Sequence, residues 1–476
     1  MLSIALHGFS MRSVFWVAID LSKAKTAGDM TNGKVWKIIL LFTLPIMAGN
    51  LLQQLYNVVD GVIVGNFVGE MAFASIATCI PLVAFYLALS IGLSVGVGVV
   101  VSQYYGAEKG DKLPSVIDTA LILLGACGLG FTVLGIVFSP FLLSNILKVP
   151  DSILRNAVIY MRIYSGGLFF QFLYNGVAAT LRSFGDSKAT LYFLLISTVL
   201  NTVLDLLFVL GLNMSVAGAA IATVISQAVC VTVSYVYLRK RYPYIRSGEH
   251  WNRGIAATMT RLGFPIAIQQ GIVSFGNGAM QRLVNGFALT APGLIAAYGA
   301  ATRLDAFRYV PILGFQSGLA SFTGQNTGAG RLDRVKRGFI SAIIMSVSVT
   351  VILSVLFYIF AGPVISLFGL SDESLRIGIE QVRFIAMVLW MFAAYMALCG
   401  LLQGSGDTLL MSVATLTALA VRIATGYIAV HFGWLGYNAA WLTTPIGWLI
   451  AMSITFTRYF TGGWKNKAVA GKLSNR

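Results

Sequence analysis

Two carboxylates within long apolar stretches are the residues of this sequence best suited to chemistry. Asp60 lies in QQLYNVVDGVIVGNFVG and Asp205 in STVLNTVLDLLFVLG. An ionised carboxylate inside a membrane-spanning helix costs about 2.5–3.5 kcal/mol, so a partner or a function must compensate for it. Each acid has an amide about one helical turn earlier on the same face, Asn57 before Asp60 and Asn201 before Asp205.

An acid beside amide and hydroxyl oxygens, away from water, becomes neutral by binding a proton or by coordinating Na+ with those oxygens. Burial disfavours the charged form of a carboxyl group, so the group can be loaded on one side of a membrane and emptied on the other. We therefore predict cation binding, with H+ or Na+ as the ion, and no other cofactor. The alternative for each acid is a structural role, for example Asp60 capping its helix or pairing with an arginine.

The composition places the elements that carry these acids in a membrane. Of the 476 residues, 57% are hydrophobic and 11% are charged, whereas soluble domains have about 25% charged residues. Apolar stretches of about 20 residues alternate with short polar loops, which is the length needed to cross a hydrocarbon layer about 30 Å thick. The sequence predicts an all-α integral membrane protein with about twelve transmembrane helices.

The distribution of the basic residues predicts the topology. Most of the 33 Lys and Arg residues lie in the N-terminal segment, the even-numbered loops and the C-terminus. The odd-numbered loops contain only Lys148, Arg155 and Arg376. By the positive-inside rule, both termini are cytoplasmic. The net charge of +16 is thus explained by topology, and nucleic acid is not an expected partner.

Motifs of the first half of the chain return in the second half at a nearly constant offset, close to half the chain length. The repeated pairs are Pro45-Ile46 with Pro265-Ile266, Asn57 with Asn277, Gly106-Ala107 with Gly328-Ala329, and Gly185-Asp186 with Gly406-Asp407. Six helices per repeat give both halves the same orientation. We expect two six-helix lobes related by a pseudo-twofold axis along the membrane normal.

The longest polar stretch, after the sixth apolar segment, divides the chain into domains. The predicted domains are an N-terminal cytoplasmic segment (1–33), an N-lobe (34–238), a cytoplasmic inter-lobe linker (239–258), a C-lobe (259–460) and a C-terminal cytoplasmic tail (461–476). Residues 1–29 have no small-residue cleavage site, so no removed signal peptide is predicted, and Met30 is an alternative start.

The acids are absent from the second half, where Met280 and Gly426 stand at the positions of Asp60 and Asp205. The apolar stretches of the second half instead carry Arg303, Asp305, Arg308 and Arg422. The i, i+3 spacing of Asp305 and Arg308 predicts an ion pair. For Arg303 and Arg422, acids, helix ends and a substrate all remain open as partners.

Cysteine and histidine give no indication of a metal site. Cys79, Cys127, Cys230 and Cys399 lie singly in apolar segments, and the three histidines are scattered along the chain. Neither residue type shows the spacing of a metal or redox motif.

Several motifs together resemble the multidrug and toxic compound extrusion (MATE) family, with the DinF-like branch as the nearest match. They are LPIMAGNLLQQLYNVVDGVIVGNFVG, YYGAEKGD, SFGDSK, LNTVLDLLFVLG, GAAIAT and GQNTGAGRLD, and the resemblance covers about residues 31–460. It implies a twelve-helix, two-lobed antiporter with a cation site in the N-lobe. By resemblance the cation-coupling residues are Asp60, Asn175, Asn201, Asp205 and Thr223.

The remaining candidates have substrate-cleft or structural roles, and they are Tyr56, Asn57, Arg303, Asp305 and Arg422. NorM-type relatives carry acids in helices 7 and 10 for a second cation site in the C-lobe, whereas helix 7 of this chain has no acid and helix 10 offers only Glu380 near its start. A cation site in the C-lobe is therefore not expected.

The expected function is antiport, in which small, often cationic, organic compounds leave the cell in exchange for inward H+ or Na+. The alternative is a lipid-linked saccharide flippase, but that class needs a strongly cationic cavity. An enzyme is not expected, because no nucleophile-base pair, phosphate loop or metal cluster is visible. The expected partners are small organic substrates and membrane lipid, with a monomer in the bacterial inner membrane.

Overall fold

The computed structural model describes residues 28–67, 70–242, 250–287, 289–291 and 293–469, and within these ranges the side chains of 56–67, 70 and 73 fall outside the description. All regular elements in the described ranges are helices. The predicted all-α class is confirmed.

The first half of the chain forms six helical segments from seven α-helices. The helices are α1 (Val35–Phe67), α2 (Glu70–Gly106), α3 (Leu113–Phe141), α4 (Asp151–Gly166), α5 (Leu168–Ser183), α6 (Ser187–Asp205) and α7 (Ser215–Arg241). α3 and α6 each continue into a π-helical turn, Leu142–Ile146 and Leu206–Gly211. α4 and α5 make one segment that is interrupted at Gly167.

The second half also forms six segments. Its helices are α8 (Arg253–Asn285), α9 (Leu294–Gly328), α10 (Leu332–Ile359) followed by α11 (Ala361–Ser366), α12 (Asp372–Ser405), α13 (Thr408–His431), and α14 (Ala439–Leu442) followed by α15 (Thr444–Phe460). Short 3-10 turns occupy Gly436–Asn438 and Gly463–Lys467.

Twelve helical segments in the described part of the chain agree with the predicted number. Nine of them are long and apolar enough to cross a membrane. The other three are α4 with α5, where neither helix reaches the required length, and α8 and α9, which carry several arginines and amides. Their polar and charged residues, among them Gln269, Arg282 and Arg308, lower their hydropathy.

The chain forms two compact units. Among the described residues, unit 1 comprises residues 28–29 and Ala48–Phe264, and unit 2 comprises Met30–Met47 and residues 265–469. Because the unit boundaries fall inside α1 and α8, the first part of α1 belongs to unit 2 and the first part of α8 to unit 1. α7 ends at Arg241 and α8 begins at Arg253, so the segment between them is shorter than the expected 239–258 linker.

Two glycines allow close helix contacts that hold the first part of α8 in unit 1 and the first part of α1 in unit 2. In unit 1, a Cβ at Gly96 of α2 would lie 2.2 Å from the Met259 carbonyl oxygen of α8. In unit 2, a Cβ at Gly318 of α9 would lie 2.2 Å from Thr43 Oγ1 of α1. Small residues let helix backbones approach closely where apolar burial does not drive association. Each of these helix parts thus packs closely against a helix of its own unit.

Candidate cation-binding site in unit 1

Asn201 and Asp205 lie on one face of α6, which packs against α7. Their side chains are 3% and 1% exposed. Asp205 is the last residue of α6, and the π-helical turn Leu206–Gly211 follows it directly. π-helical turns are rare and frequently lie at functional sites. The structure therefore places a carboxylate in an apolar interior beside an irregular stretch of helix.

A hydrogen bond joins this face of α6 to α7. Asn201 Nδ2 donates to Thr223 Oγ1 at 3.5 Å, and the Thr223 hydroxyl donates to the Ala219 carbonyl at 3.0 Å. Amide, hydroxyl and carboxylate oxygens are the groups that hard cations bind. Asn201, Asp205 and Thr223 supply one of each kind at the contact between these two helices.

Asn175 belongs to a second polar pair, between α5 and α2. Its Nδ2 donates to Ser90 Oγ at 2.8 Å, and Ser90 is fully buried. Between α5 and α7, Gln227 Nε2 donates to Gln171 Oε1 at 2.8 Å. Ser90, Gln171 and Gln227 were not among the predicted residues, although polar side chains inside apolar segments are a signal for them. Four helices of unit 1 thus contribute polar groups to its interior.

The side chains of Tyr56, Asn57 and Asp60 lie outside the described residues, so their places in a site stay predictions. The repeat provides the equivalent geometry in unit 2. There Met280 and Gly426 occupy the positions of Asp60 and Asp205, and a Cβ at Gly426 would lie 3.5 Å from Met280 Cε.

The charged candidates of unit 2 separate into different environments. Arg308 is buried and forms the predicted ion pair with Asp305, which is confirmed. It also donates to the Val382 carbonyl at 3.3 Å. Arg303 is exposed. Glu380 pairs with Arg376 at 3.5 Å on the exposed start of α12.

Arg422 differs from these residues. Within the described residues it forms no ion pair, and its buried Nε has no hydrogen-bond partner. Across those same residues, no cluster of three His, Cys, Asp or Glu side chains is suited to holding a metal ion.

A repeated bundle of twelve segments in the described part of the chain, with polar groups buried inside apolar helices, is the architecture of many membrane transporters. The family model MatE matches residues 45–207 and again 265–428, once in each half. The chain belongs to the MATE family. The two matches begin at Pro45 and Pro265, which are the first repeated pair of the sequence, so the double match agrees with the offset of the repeat.

Similar proteins cover almost the whole chain. It is 30% identical over 442 residues to the probable multidrug resistance protein YpnP of Bacillus subtilis, covering 92% of this chain and 98% of that protein. It is 27% identical over 449 residues to the probable multidrug resistance protein YoeA of the same organism, with 91% and 95% covered.

A solved structure is also similar to this chain. The crystal structure of MATE in complex with MaD3S matches with a TM-score of 0.84 and 25% identity, covering 92% of this chain and 98% of that chain. The chain is therefore a transporter and not an enzyme, and the two-lobed fold with about twelve transmembrane helices is confirmed. These likenesses do not favour the flippase alternative.

Proposed function

We propose that this transporter exports small organic compounds, many of them cationic and of varied structure, in exchange for inward H+ or Na+. The coupling site consists of Asp60, Asn175, Asn201, Asp205 and Thr223 in the N-lobe. The relatives named as multidrug resistance proteins support the substrate class.

The observation that carries the proposal is the burial of Asp205 beside Asn201. An acid that is 1% exposed in an apolar span is costly to hold in its charged form, so binding a cation there is favourable. A proton or Na+ neutralises the carboxylate, and Asn201 and Thr223 supply neutral oxygens nearby. Binding and release of the cation therefore change the net charge of this site.

The repeat supports a coupled pair of acids. Because Met280 touches the position of Gly426 in unit 2, the equivalent Asp60 and Asp205 are expected to be neighbours in unit 1. Two nearby carboxylates in a low-dielectric interior disfavour double ionisation and titrate as a pair. A bound organic cation and a proton would compete for the same negative charge, and this competition produces exchange.

The cellular setting is part of the proposal. We place the protein as a monomer in the bacterial inner membrane, with both termini in the cytoplasm and lobes near residues 34–238 and 259–460. The basic residues of the even-numbered loops support this orientation. The coupling cation then enters from outside, where its electrochemical potential is higher.

Purified protein in liposomes tests the proposal. Liposomes loaded at acidic pH, or with NaCl, are diluted into ion-free buffer at neutral pH that contains radiolabelled ethidium. We expect ethidium to accumulate under one of the two outward cation gradients and not in protein-free liposomes. Lack of accumulation under both gradients would overturn the antiport function, while the ion that drives accumulation identifies the coupling cation.

A further inference from the structure

The symmetry-equivalent position of the cation site has the opposite charge in unit 2. At the sequence offset that relates Asp186 to Asp407, Asn201 corresponds to Arg422 and Asp205 to Gly426. Thr443 matches Thr223, because each hydroxyl donates to the carbonyl four residues earlier, of Ala439 and of Ala219, and Thr444 is the next residue. Unit 2 therefore replaces an acidic site by a basic one on the equivalent helices, α13 and α15.

Contacts in unit 2 bring these residues to one place. A Cβ at Gly447 of α15 would lie 3.4 Å from Arg422 Cβ of α13. Thr444 lies one helical turn before Gly447 on α15, is 4% exposed, and its hydroxyl has no hydrogen-bond partner among the described residues. Arg422 and Thr444 both present polar atoms that no described group satisfies.

An unsatisfied guanidinium in this environment favours an anion. Arg422 lies about 13 Å along α13 from its end at His431, well inside a candidate membrane span. An intramembrane arginine is costly and commonly marks a substrate path. Its planar fork of donors matches a carboxylate with two parallel hydrogen bonds.

Aromatic rings lie beside this arginine. The ring centroids of Phe392 and Trp448 are 5.1 Å apart, and those of Phe392 and Tyr309 are 4.9 Å apart. Tyr309 lies near Arg422. The arginine and the three aromatic side chains are each partly exposed, so a ligand has access to them.

The first repeat has a different pair of side chains at the positions of these rings. Gln171 and Gln227 stand where unit 2 has Phe392 and Trp448, and they are joined by a hydrogen bond. The change from amides to aromatic rings accompanies the change from acid to arginine. Unit 2 therefore combines a basic group with flat apolar surfaces at a place where unit 1 is polar.

We propose that unit 2 contains a binding site for aromatic carboxylates. Arg422 and Thr444 hold the carboxylate, while Phe392 and Trp448 contact the flat ring, since aromatic rings stack favourably in offset or tilted geometries. The site gives unit 2 a contact for the anionic end of a substrate, which the acids of unit 1 do not provide. The role of this site in the cell rests on the proposed transport function, whereas binding to the site can be measured without transport.

The test is equilibrium binding of radiolabelled 2-naphthoate to the purified full-length protein, with 2-naphthamide as the uncharged isostere. Arg422→Gln should weaken naphthoate binding about tenfold or more, because a hydrogen bond to a charged group is lost. It should leave the weak binding of the amide unchanged. Arg422→Lys should bind naphthoate with intermediate affinity. The exposed Arg282→Gln is the matched control and should bind as the unmodified protein does.

The outcomes separate this site from the cation-coupling site. Asp205→Asn should retain naphthoate binding while losing ethidium exchange. Equal binding of naphthoate and naphthamide, or undiminished naphthoate binding by Arg422→Gln with an unchanged melting midpoint, would overturn the anion site and leave antiport intact. If Arg422→Gln does not fold, Trp448→Leu serves as the second variant. We expect this variant to bind both naphthoate and naphthamide more weakly. Undiminished binding of both ligands by Trp448→Leu would also overturn the site.

Discussion

Arg458 donates a hydrogen bond from Nε to the Asp407 carboxylate at 2.6 Å, and the Asp407 side chain is only 4% exposed. In the first repeat the equivalent Asp186 accepts from the Tyr237 hydroxyl at 2.7 Å. Both acids follow a glycine with positive φ, Gly185 at 77° and Gly406 at 93°. The repeated Gly-Asp motif therefore fixes the turn between two helices to the last helix of its own repeat.

Loss of Arg458 should destabilise the protein. Among the described residues, Arg458→Gln leaves the buried Asp407 carboxylate with Lys467 as its remaining ion-pair partner, at 3.9 Å. Breaking a fully buried pair costs about 3–5 kcal/mol, and with Lys467 remaining we expect about 2 kcal/mol. The measurement is the thermal unfolding midpoint of purified protein. The control is Arg376→Gln, whose pair with Glu380 is 66% and 47% exposed. An equal loss in both variants would contradict this role for Asp407.

The sequence predicted the repeat, the number of segments and the local ion pair, because each depends on periodicity or on neighbours within one helix. Asp305 and Arg308 are one turn apart, so helix geometry alone brings them together. The partners of Asp186 and Asp407 lie 51 residues away in each repeat. Contacts at that separation depend on how helices pack, and spacing does not predict them.

Two glycines of unit 2 should respond to alanine with opposite signs. A Cβ at Gly400 of α12 would lie 2.6 Å from the Gln316 carbonyl oxygen of α9, whereas Gly299 of α9 has nothing within 4 Å. Gly400→Ala should destabilise the protein by about 1–3 kcal/mol through overpacking. Gly299→Ala should stabilise it by about 0.5–1 kcal/mol through helix propensity. The check is the unfolding midpoint of both variants, and a stable Gly400→Ala would argue against this close approach.

The candidate sites were only partly predictable for a related reason. Asp205 and Asn201 stand out because charge in an apolar stretch is costly, and Asn175 and Thr223 required the family resemblance. Applying the repeat offset to every site residue would have identified Arg422 as the basic counterpart of Asn201. The assignment of the first part of α1 to unit 2 and of the first part of α8 to unit 1 could not be predicted from the sequence. The glycines at these contacts do not stand out, because glycine is common throughout the chain.

Cysteine labelling tests the predicted topology. In a variant with Cys79, Cys127, Cys230 and Cys399 replaced by alanine, Arg253→Cys should react with a membrane-impermeant maleimide only in permeabilised cells. Asp372→Cys, at the exposed start of α12, should react in intact cells, because its loop is one of those poor in basic residues. Labelling of Arg253→Cys in intact cells would reverse the orientation.

Neutralising the buried acid of α6 should abolish coupling. Asp205→Asn retains the shape of the side chain but removes the charge that binds the cation, so we expect loss of drug resistance in a sensitive host with normal membrane expression. Asp151→Asn, an exposed acid at the start of α4, should retain resistance. Full resistance of Asp205→Asn would exclude a coupling role for this acid.

Ionophores distinguish proton exchange from sodium exchange at the same residues. Each unit of pH gradient supplies about 1.4 kcal/mol, and each charge moved across the membrane gains about 2.3 kcal/mol per 100 mV. If Asp60 and Asp205 exchange one proton for one monovalent organic cation, the net charge moved is zero and only the pH term drives export. Nigericin, which collapses the pH gradient, should then stop export of ethidium from cells, while valinomycin with K+, which collapses the voltage, should not. Export that continues without a pH gradient and follows an imposed Na+ gradient would reject the proton version, because the carboxylates would then be coordinating Na+ with the oxygens of Asn201 and Thr223.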